Sequence, residues 1–160
     1  MNTYAEVVGY MKEHKCVPEG FAQWDLREEI LLRYDAGRTV AHAAVFFNCL
    51  PKDFNQWQLA DKNGWTVAHQ AAALKMLPQN FNQWDLASNY NKTVAHAAAD
   101  RGNLPEGFNQ WHLRDDKGET VFEAACYSSK GLPQWFKDWK LVITDDGETC
   151  QEIYERIKKK

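Results

Sequence analysis

Apolar positions in this chain come in two short blocks that recur. The first reads Pro-x-x-Phe-x-x-Trp-x-Leu and starts at Pro18, Pro51, Pro78, Pro105 and Pro133, at spacings of 33, 27, 27 and 28 residues. The second, Thr-Val-Ala-His, starts at Thr39, Thr66 and Thr93 and returns altered as Thr120-Val121-Phe122-Glu123 and Thr149-Cys150-Gln151-Glu152. A fixed period between about 20 and 50 residues marks units that bury their apolar faces against their neighbours.

Each threonine of the second block follows a turn holding Gly37, Gly64, Asn91, Gly118 or Gly147, residue types that tolerate positive φ, and precedes an alanine-rich or apolar run. That pattern predicts a helix N-terminus. Thr120 with Glu123 and Thr149 with Glu152 read as capping boxes, in which each end satisfies an orphan backbone donor of the other. Small residues such as Ala71, Ala72, Ala97 and Ala98 let neighbouring helices approach closely. The helix is expected to end before the Leu-Pro steps at Leu50, Leu77, Leu104 and Leu132, because proline disfavours helical geometry in the residue ahead of it. Proline suits the first turn of a next helix, so a second, short helix is expected there, with Phe54 and Trp57 or Phe81 and Trp84 sharing a face.

The first unit carries extra residues from Arg27 to Tyr34, where Ile30, Leu31 and Leu32 are expected to extend its second helix. Before it, Thr3-Tyr4-Ala5-Glu6 is a further capping box, and Tyr4, Val7, Val8 and Met11 form one apolar face. After the last unit Cys150, Ile153, Tyr154 and Ile157 do the same. Capping helices are therefore expected at 3–16 and 149–158, around one array over 1–160: a cap at 1–17, then units at about 18–50, 51–77, 78–104, 105–132 and 133–160.

In Asp61-Lys62-Asn63-Gly64-Trp65-Thr66-Val67-Ala68-His69 the turn and helix start resemble the ankyrin repeat, whose signature is Thr-Pro-Leu-His-x-Ala. Valine stands in place of the proline, and the longer second helix is cut to Phe-x-x-Trp-x-Leu, giving 27 residues instead of about 33. The resemblance implies an all-α, ankyrin-like helical repeat solenoid with N- and C-terminal capping helices. It also implies binding of a protein partner through turn tips and the exposed face of the first helix.

Charge and composition narrow the function further. In a chain of 160 residues, 44% hydrophobic content suffices for one folded core, and 19 basic against 22 acidic side chains leave a net charge of -3. That lacks the basic excess of a direct nucleic-acid binder, so none is expected among the partners. Cys16, Cys49, Cys126 and Cys150 form no CxxC pair, which reads as free thiols in a reducing cytoplasm, the source cell's own or that of a host cell. No apolar window is long enough for a bilayer span, and no membrane partner is expected.

His42, His69 and His96 occupy the slot that Glu123 and Glu152 fill in later units, which points to a shared structural need at a helix start rather than to a metal. The aromatic pairs from Phe21 and Trp24 to Phe136 and Trp139 read as a core ladder, and Asn55-Gln56, Asn82-Gln83 and Asn109-Gln110 as hydrogen-bonding ladders between units. No catalytic residue, metal ligand or cofactor is expected. The cysteines have no fixed histidine partner, Asp115-Asp116 and Asp145-Asp146 read as turn formers, and no phosphate loop or HExxH segment is present.

What varies between units carries the functional expectation. Arg38, Trp65, Lys92, Glu119 and Glu148 stand just before the five threonines, and Tyr90 lies in one of the same loops. Tryptophan, tyrosine and arginine are the usual interface anchors, so Arg38, Trp65 and Tyr90, with Lys92 and Glu119, form the expected partner-binding edge. An adaptor or inhibitor that engages a partner protein is the leading expectation. The alternatives are a phage-encoded or translocated effector that inhibits a host nucleic-acid or defence enzyme by surface binding, with the acidic tips Asp115, Asp116, Glu119, Asp145, Asp146 and Glu148 as mimic, and, more remotely, an enzyme.

Overall fold

Every helix in the computed structural model begins directly after a threonine. The structure describes residues 1–28 and 37–159. Among them run α1 (Tyr4–His14), α2 (Val40–Phe46), α3 (Val67–Ala73), α4 (Val94–Arg101), α5 (Val121–Tyr127) and α6 (Cys150–Lys158), and no strand, so the described chain is all-α. The expected terminal helices at 3–16 and 149–158 match α1 and α6, each closed by a capping box. The proposed extension through Ile30, Leu31 and Leu32 falls outside the described residues.

A helix start leaves four backbone N–H groups without an intrahelical acceptor. In α3 all four are satisfied. Thr66 N–H donates to His69 Nδ1 at 3.1 Å, Val67 N–H to Leu59 O at 2.8 Å, Ala68 N–H to Trp57 O at 3.1 Å, and His69 N–H to Thr66 Oγ1 at 3.3 Å. The same scheme recurs in α4, with Leu86 and Trp84 supplying the carbonyls, and in α5 and α6, where Glu123 and Glu152 replace histidine as the side-chain acceptor.

This scheme corrects the expectation of a second helix. The Pro-x-x-Phe-x-x-Trp-x-Leu block is two consecutive turns: Phe54 N–H donates to Pro51 O at 3.1 Å, and Leu59 N–H to Gln56 O at 3.2 Å. A helix there would need the Trp57 and Leu59 carbonyls for its own i+4 donors, but they are committed to the start of α3. So short a segment also gains too little from propagation to offset helix nucleation. The Leu-Pro steps do not end the first helices either. Those helices stop earlier, α2 at Phe46 and α3 at Ala73, and the chain then passes through left-handed residues, Asn48 at φ 57° and Lys75 at φ 59°.

Beside the start of each helix from α2 to α6 the chain makes one isolated antiparallel bridge, as in Ala60 with Thr66, Ala87 with Thr93 and Arg114 with Thr120. The five-residue turns so closed sit side by side. Asn89 N–H donates to Asn63 O at 3.0 Å and Asp116 N–H to Tyr90 O at 3.1 Å. Gly64, at φ 73°, is needed for this approach, since a Cβ there would stand 2.5 Å from Asn89 Oδ1.

Each helix packs only against its neighbours in chain order, α1 on α2 through to α5 on α6. Beneath them the aromatic pairs form one unbroken edge-to-face chain. Phe54 meets Trp57 at 5.0 Å, Trp57 meets Phe81 at 5.9 Å, Phe81 meets Trp84 at 5.2 Å and Trp84 meets Phe108 at 5.5 Å between ring centroids. The expected core ladder is present. The expected Asn-Gln ladder is not: Asn55, Asn82 and Asn109 are exposed, and among the described residues their side chains and those of the adjoining glutamines make no hydrogen bond with one another. The glutamines act through their backbone, as carbonyl acceptors in the Trp-Leu turns.

Trp111 is the densest point of the aromatic chain, fully buried and in ring contact with Phe108, Phe122, Trp135 and Phe136. Trp111→Ala is expected to destabilise the fold by about 3 to 5 kcal/mol, read from the midpoint of urea unfolding. A loss below about 1 kcal/mol would show that the aromatic chain does not carry the core.

Candidate functional site

The turns 61–65, 88–92 and 115–119, each closed by a bridge, bring equivalent positions of successive units to one side of the molecule. First positions Asp61, Ser88 and Asp115, third positions Asn63, Tyr90 and Lys117, and fifth positions Trp65 and Lys92 line one groove of about 580 Å³. Arg38, the counterpart of Trp65 one unit earlier, closes one end, and Asp116 stands at the other. Four of the five residues expected at a partner-binding edge, Arg38, Trp65, Tyr90 and Lys92, thus lie in a single cleft. Glu119 is not part of its lining. Its carbonyl accepts from His96 Nε2 at 3.0 Å, and burial, followed by the negative charge of Asp115, pushes its carboxyl pKa up.

The groove floor is held by its own acids. Asp61 Oδ1 accepts from Asn63 N–H at 2.8 Å and Trp65 N–H at 3.0 Å, and Asp115 Oδ1 accepts from Lys117 N–H and Glu119 N–H, both at 2.9 Å. Asp115 is therefore a turn former, as its sequence position indicates.

Trp65 departs from the expected exposed tip. It is half-buried, its ring lying over the His69 imidazole at 4.6 Å between centroids. Tyr90, in contrast, is 61% exposed. Lys92 is also engaged, with its Nζ 2.6 Å from Asp100 Oδ2. The offset of eight residues between Lys92 and Asp100 recurs with the charges exchanged in Glu148 and Arg156, 3.2 Å apart. Equivalent pairs are Arg38 with Phe46, Trp65 with Ala73 and Glu119 with Tyr127. Phe46 and Tyr127 are 68% and 55% exposed. Sequence reasoning missed this pairing, although opposite charges at one fixed offset in two units were there to find.

His42, His69 and His96 are fully buried and tie each unit to the next. Because Nδ1 accepts from a threonine N–H, the proton sits on Nε2, which donates to Trp65 O at 3.0 Å, Lys92 O at 2.8 Å and Glu119 O at 3.0 Å respectively. Only the neutral imidazole can do both. Burial lowers the pKa of His42 and His69 to about 4 and that of His96 in the same direction.

Cys126 and Cys150 are not activated nucleophiles. Burial pushes Cys126 up to about 12 and Cys150 up to about 11, so both are neutral thiols at physiological pH. Among the described residues no three His, Cys, Asp or Glu side chains are grouped to hold a metal, and no helix is long and apolar enough to cross a membrane. Comparison with known proteins finds no family model and no curated protein that matches the chain.

The histidines set an acid limit on stability. Their folded pKa lies below the unfolded 6.5, so the unfolded chain binds more protons between the two values. Stability should be complete above pH 6.5 and fall as pH drops toward 4, by roughly 3 kcal/mol for each of His42 and His69. His69→Gln retains an acceptor for Thr66 N–H but loses the tie to Lys92. It should cost about 1 to 2 kcal/mol at neutral pH and flatten the acid limb. Unfolding curves between pH 7 and 4 check this, and an unchanged acid limb in the variant would refute the assigned protonation.

Proposed function

We propose that the chain is an ankyrin-like helical repeat solenoid with α1 and α6 as its caps, and that it is a non-enzymatic binding scaffold. It acts as an adaptor or inhibitor that engages a partner protein through the groove over the turns 61–65, 88–92 and 115–119. The observation that carries this reading is the convergence of Arg38, Trp65, Tyr90 and Lys92 on one cleft. Those residues vary between units while the positions around them repeat, and the types of Arg38, Trp65 and Tyr90 are the ones that dominate interface energetics. Stacking fixes the repeated positions, so residues that differ at equivalent places are free to answer to a partner.

Two further observations support a binder over an enzyme. The buried cysteines are held as neutral thiols, and the carboxylates of the groove floor are occupied in holding their turns. The nucleic-acid mimic is the weaker reading, because the groove mixes Arg38, Lys92 and Lys117 with Asp61, Asp115 and Asp116, whereas a phosphate mimic needs a single sign of charge. The site of action is proposed to be the cytoplasm.

Tyr90 gives the cleaner test, since its ring is exposed whereas Trp65 also covers His69. With a partner captured from the native source, Tyr90→Ala should weaken binding by about 1 to 2 kcal/mol, roughly five- to thirtyfold, with no change in melting temperature. Trp65→Ala should lose about 2 kcal/mol or more of affinity and also melt earlier. Calorimetry on both variants decides the matter; undiminished affinity in Tyr90→Ala and Trp65→Ala would place the interface elsewhere.

A further inference from the structure

The Pro-x-x-Phe turn recurs in every unit, and the residue before its phenylalanine is a turn former at Gly20, Asp53, Asn80 and Gly107. The last unit has Trp135 there, although it makes the same turn, with Phe136 N–H donating to Pro133 O at 2.9 Å. Turn chemistry does not select a tryptophan at this place. Its ring is half-buried, meets Trp111 at 5.9 Å between centroids, and with Trp84 walls a hollow of about 410 Å³. That volume falls within the range of roughly 300 to 1,000 Å³ in which proteins seat a ligand group.

The hollow lies at the edge where the helices end, whereas the groove lies over the turns at their starts. Residues just past one helix bond there to the end of the helix before it. Asn103 Nδ2 donates to Ala72 O at 3.1 Å and Ala73 O at 2.9 Å, and Ser128 Oγ donates to Asp100 O at 3.0 Å. We propose that the hollow is a second binding site, for an acidic segment of a partner protein that sets one bulky apolar side chain against Trp84 and Trp135. It stands apart from the groove and does not rest on the reading given to it.

Hydrogen bonding selects a hydrocarbon anchor. The Trp84 indole N–H is committed to Phe81 O at 3.1 Å, Asn103 Nδ2 to its two carbonyls, and Pro78 and Pro105 have no N–H to give. A polar group entering the hollow would leave water without these donors in exchange, whereas an apolar side chain loses nothing by leaving water. The same shortage disfavours a nucleic-acid base, whose edge needs hydrogen-bond partners.

Charge sets the flanks of the anchor. From the last residues of α3, α4 and α5 to Leu77, Leu104 and Leu132 the chain has no aspartate or glutamate. Lys75 lines the hollow, and Glu106 is the one carboxylate residue that does. Two further cations border it without lining it. Arg101 precedes Gly102, a lining residue, and Lys130 lies over that glycine, where a Cβ would stand 2.6 Å from Lys130 Cβ. Lys75, Arg101 and Lys130 are all exposed, and none is in an ion pair among the described residues. Three cations facing one carboxylate favour acidic residues beside the anchor.

The test uses the full chain, short synthetic peptides and calorimetry. One peptide sets a phenylalanine between runs of glutamate, a second has alanine in place of the phenylalanine, a third has glutamine in place of the glutamates, and a thymidine oligonucleotide is the nucleic-acid probe. The first should bind about tenfold more tightly than either control peptide. Lys75→Glu combined with Lys130→Glu should erase the preference for glutamate, and Trp135→Gly the preference for phenylalanine. Because Trp135 also packs on Trp111, the exposed lysines carry the test if Trp135→Gly melts early. No binding of the first peptide, equal affinity for the alanine peptide, indifference to the lysine substitutions, or tighter binding of the oligonucleotide overturns the assignment. Tyr90→Ala should leave the peptide affinities unchanged, so the two sites are judged separately: a partner indifferent to Tyr90 and Trp65 removes the groove reading and leaves this one standing.

Discussion

A helix of seven residues cannot hold itself together in water, and the fold is organised around that fact. Nucleation fixes several residues before propagation returns anything, and in a helix such as α3, seven residues long, the unpaired ends outweigh the interior. The chain solves this by making the upstream turn the acceptor for the start of each helix from α2 to α6. Leucine and tryptophan carbonyls take the first two N–H groups, and threonine and the residue three further on exchange the other two. The turn block must stay non-helical to have those carbonyls to give. The same residues place phenylalanine and tryptophan beneath the helices, so backbone closure and core formation are one event.

Histidine extends that local closure across the boundary between units. Its Nδ1 completes the cap of its own helix, and its Nε2 reaches the carbonyl of the residue before the next threonine, as in His69 to Lys92. Glutamate performs the first task but has no donor for the second. Where Glu123 stands, the boundary is bridged by Arg156, which lies 3.6 Å from Glu123 and 3.2 Å from Glu148. This substitution exchanges a buried neutral hydrogen bond for a more exposed ionic contact. The terminal boundary is thereby less sensitive to mild acid than the three histidine boundaries, and more sensitive to salt.

Helix starts were legible in the sequence because threonine, its partner three residues on and the preceding positive-φ residue each have a physical role that residue type reveals. The Pro-x-x-Phe-x-x-Trp-x-Leu block was misread because an aromatic pair three apart satisfies two geometries. Phe54 and Trp57 share a face on a helical turn, but they also meet edge to face when Phe54 closes one β-turn and Trp57 stands inside the next. Deciding between the two requires knowing where the Trp57 and Leu59 carbonyls go, and that is a non-local fact. The Asn-Gln pairs misled for a related reason: their regular recurrence suggested side-chain pairing, whereas the glutamines contribute backbone acceptors. At the candidate site the variable residues were found by comparing units, while the offset pairing and the half-burial of Trp65 depend on how turn and helix face each other.

The groove inherits its character from this division between repeated and variable positions. Lys92 with Asp100 and Glu148 with Arg156 place ion pairs at the eight-residue offset, where two other units carry the exposed rings of Phe46 and Tyr127. At Trp65 the two roles meet, since the ring covers His69, whose Nε2 ties this unit to the next. An occupant resting on Trp65 presses on a residue that shields an inter-unit hydrogen bond, and by linkage whatever binds there stabilises that boundary. Tyr90 carries no such duty. On the proposed reading the two aromatics divide the work of the site, one coupling occupancy to the integrity of the fold and the other free to set the preference for what is bound.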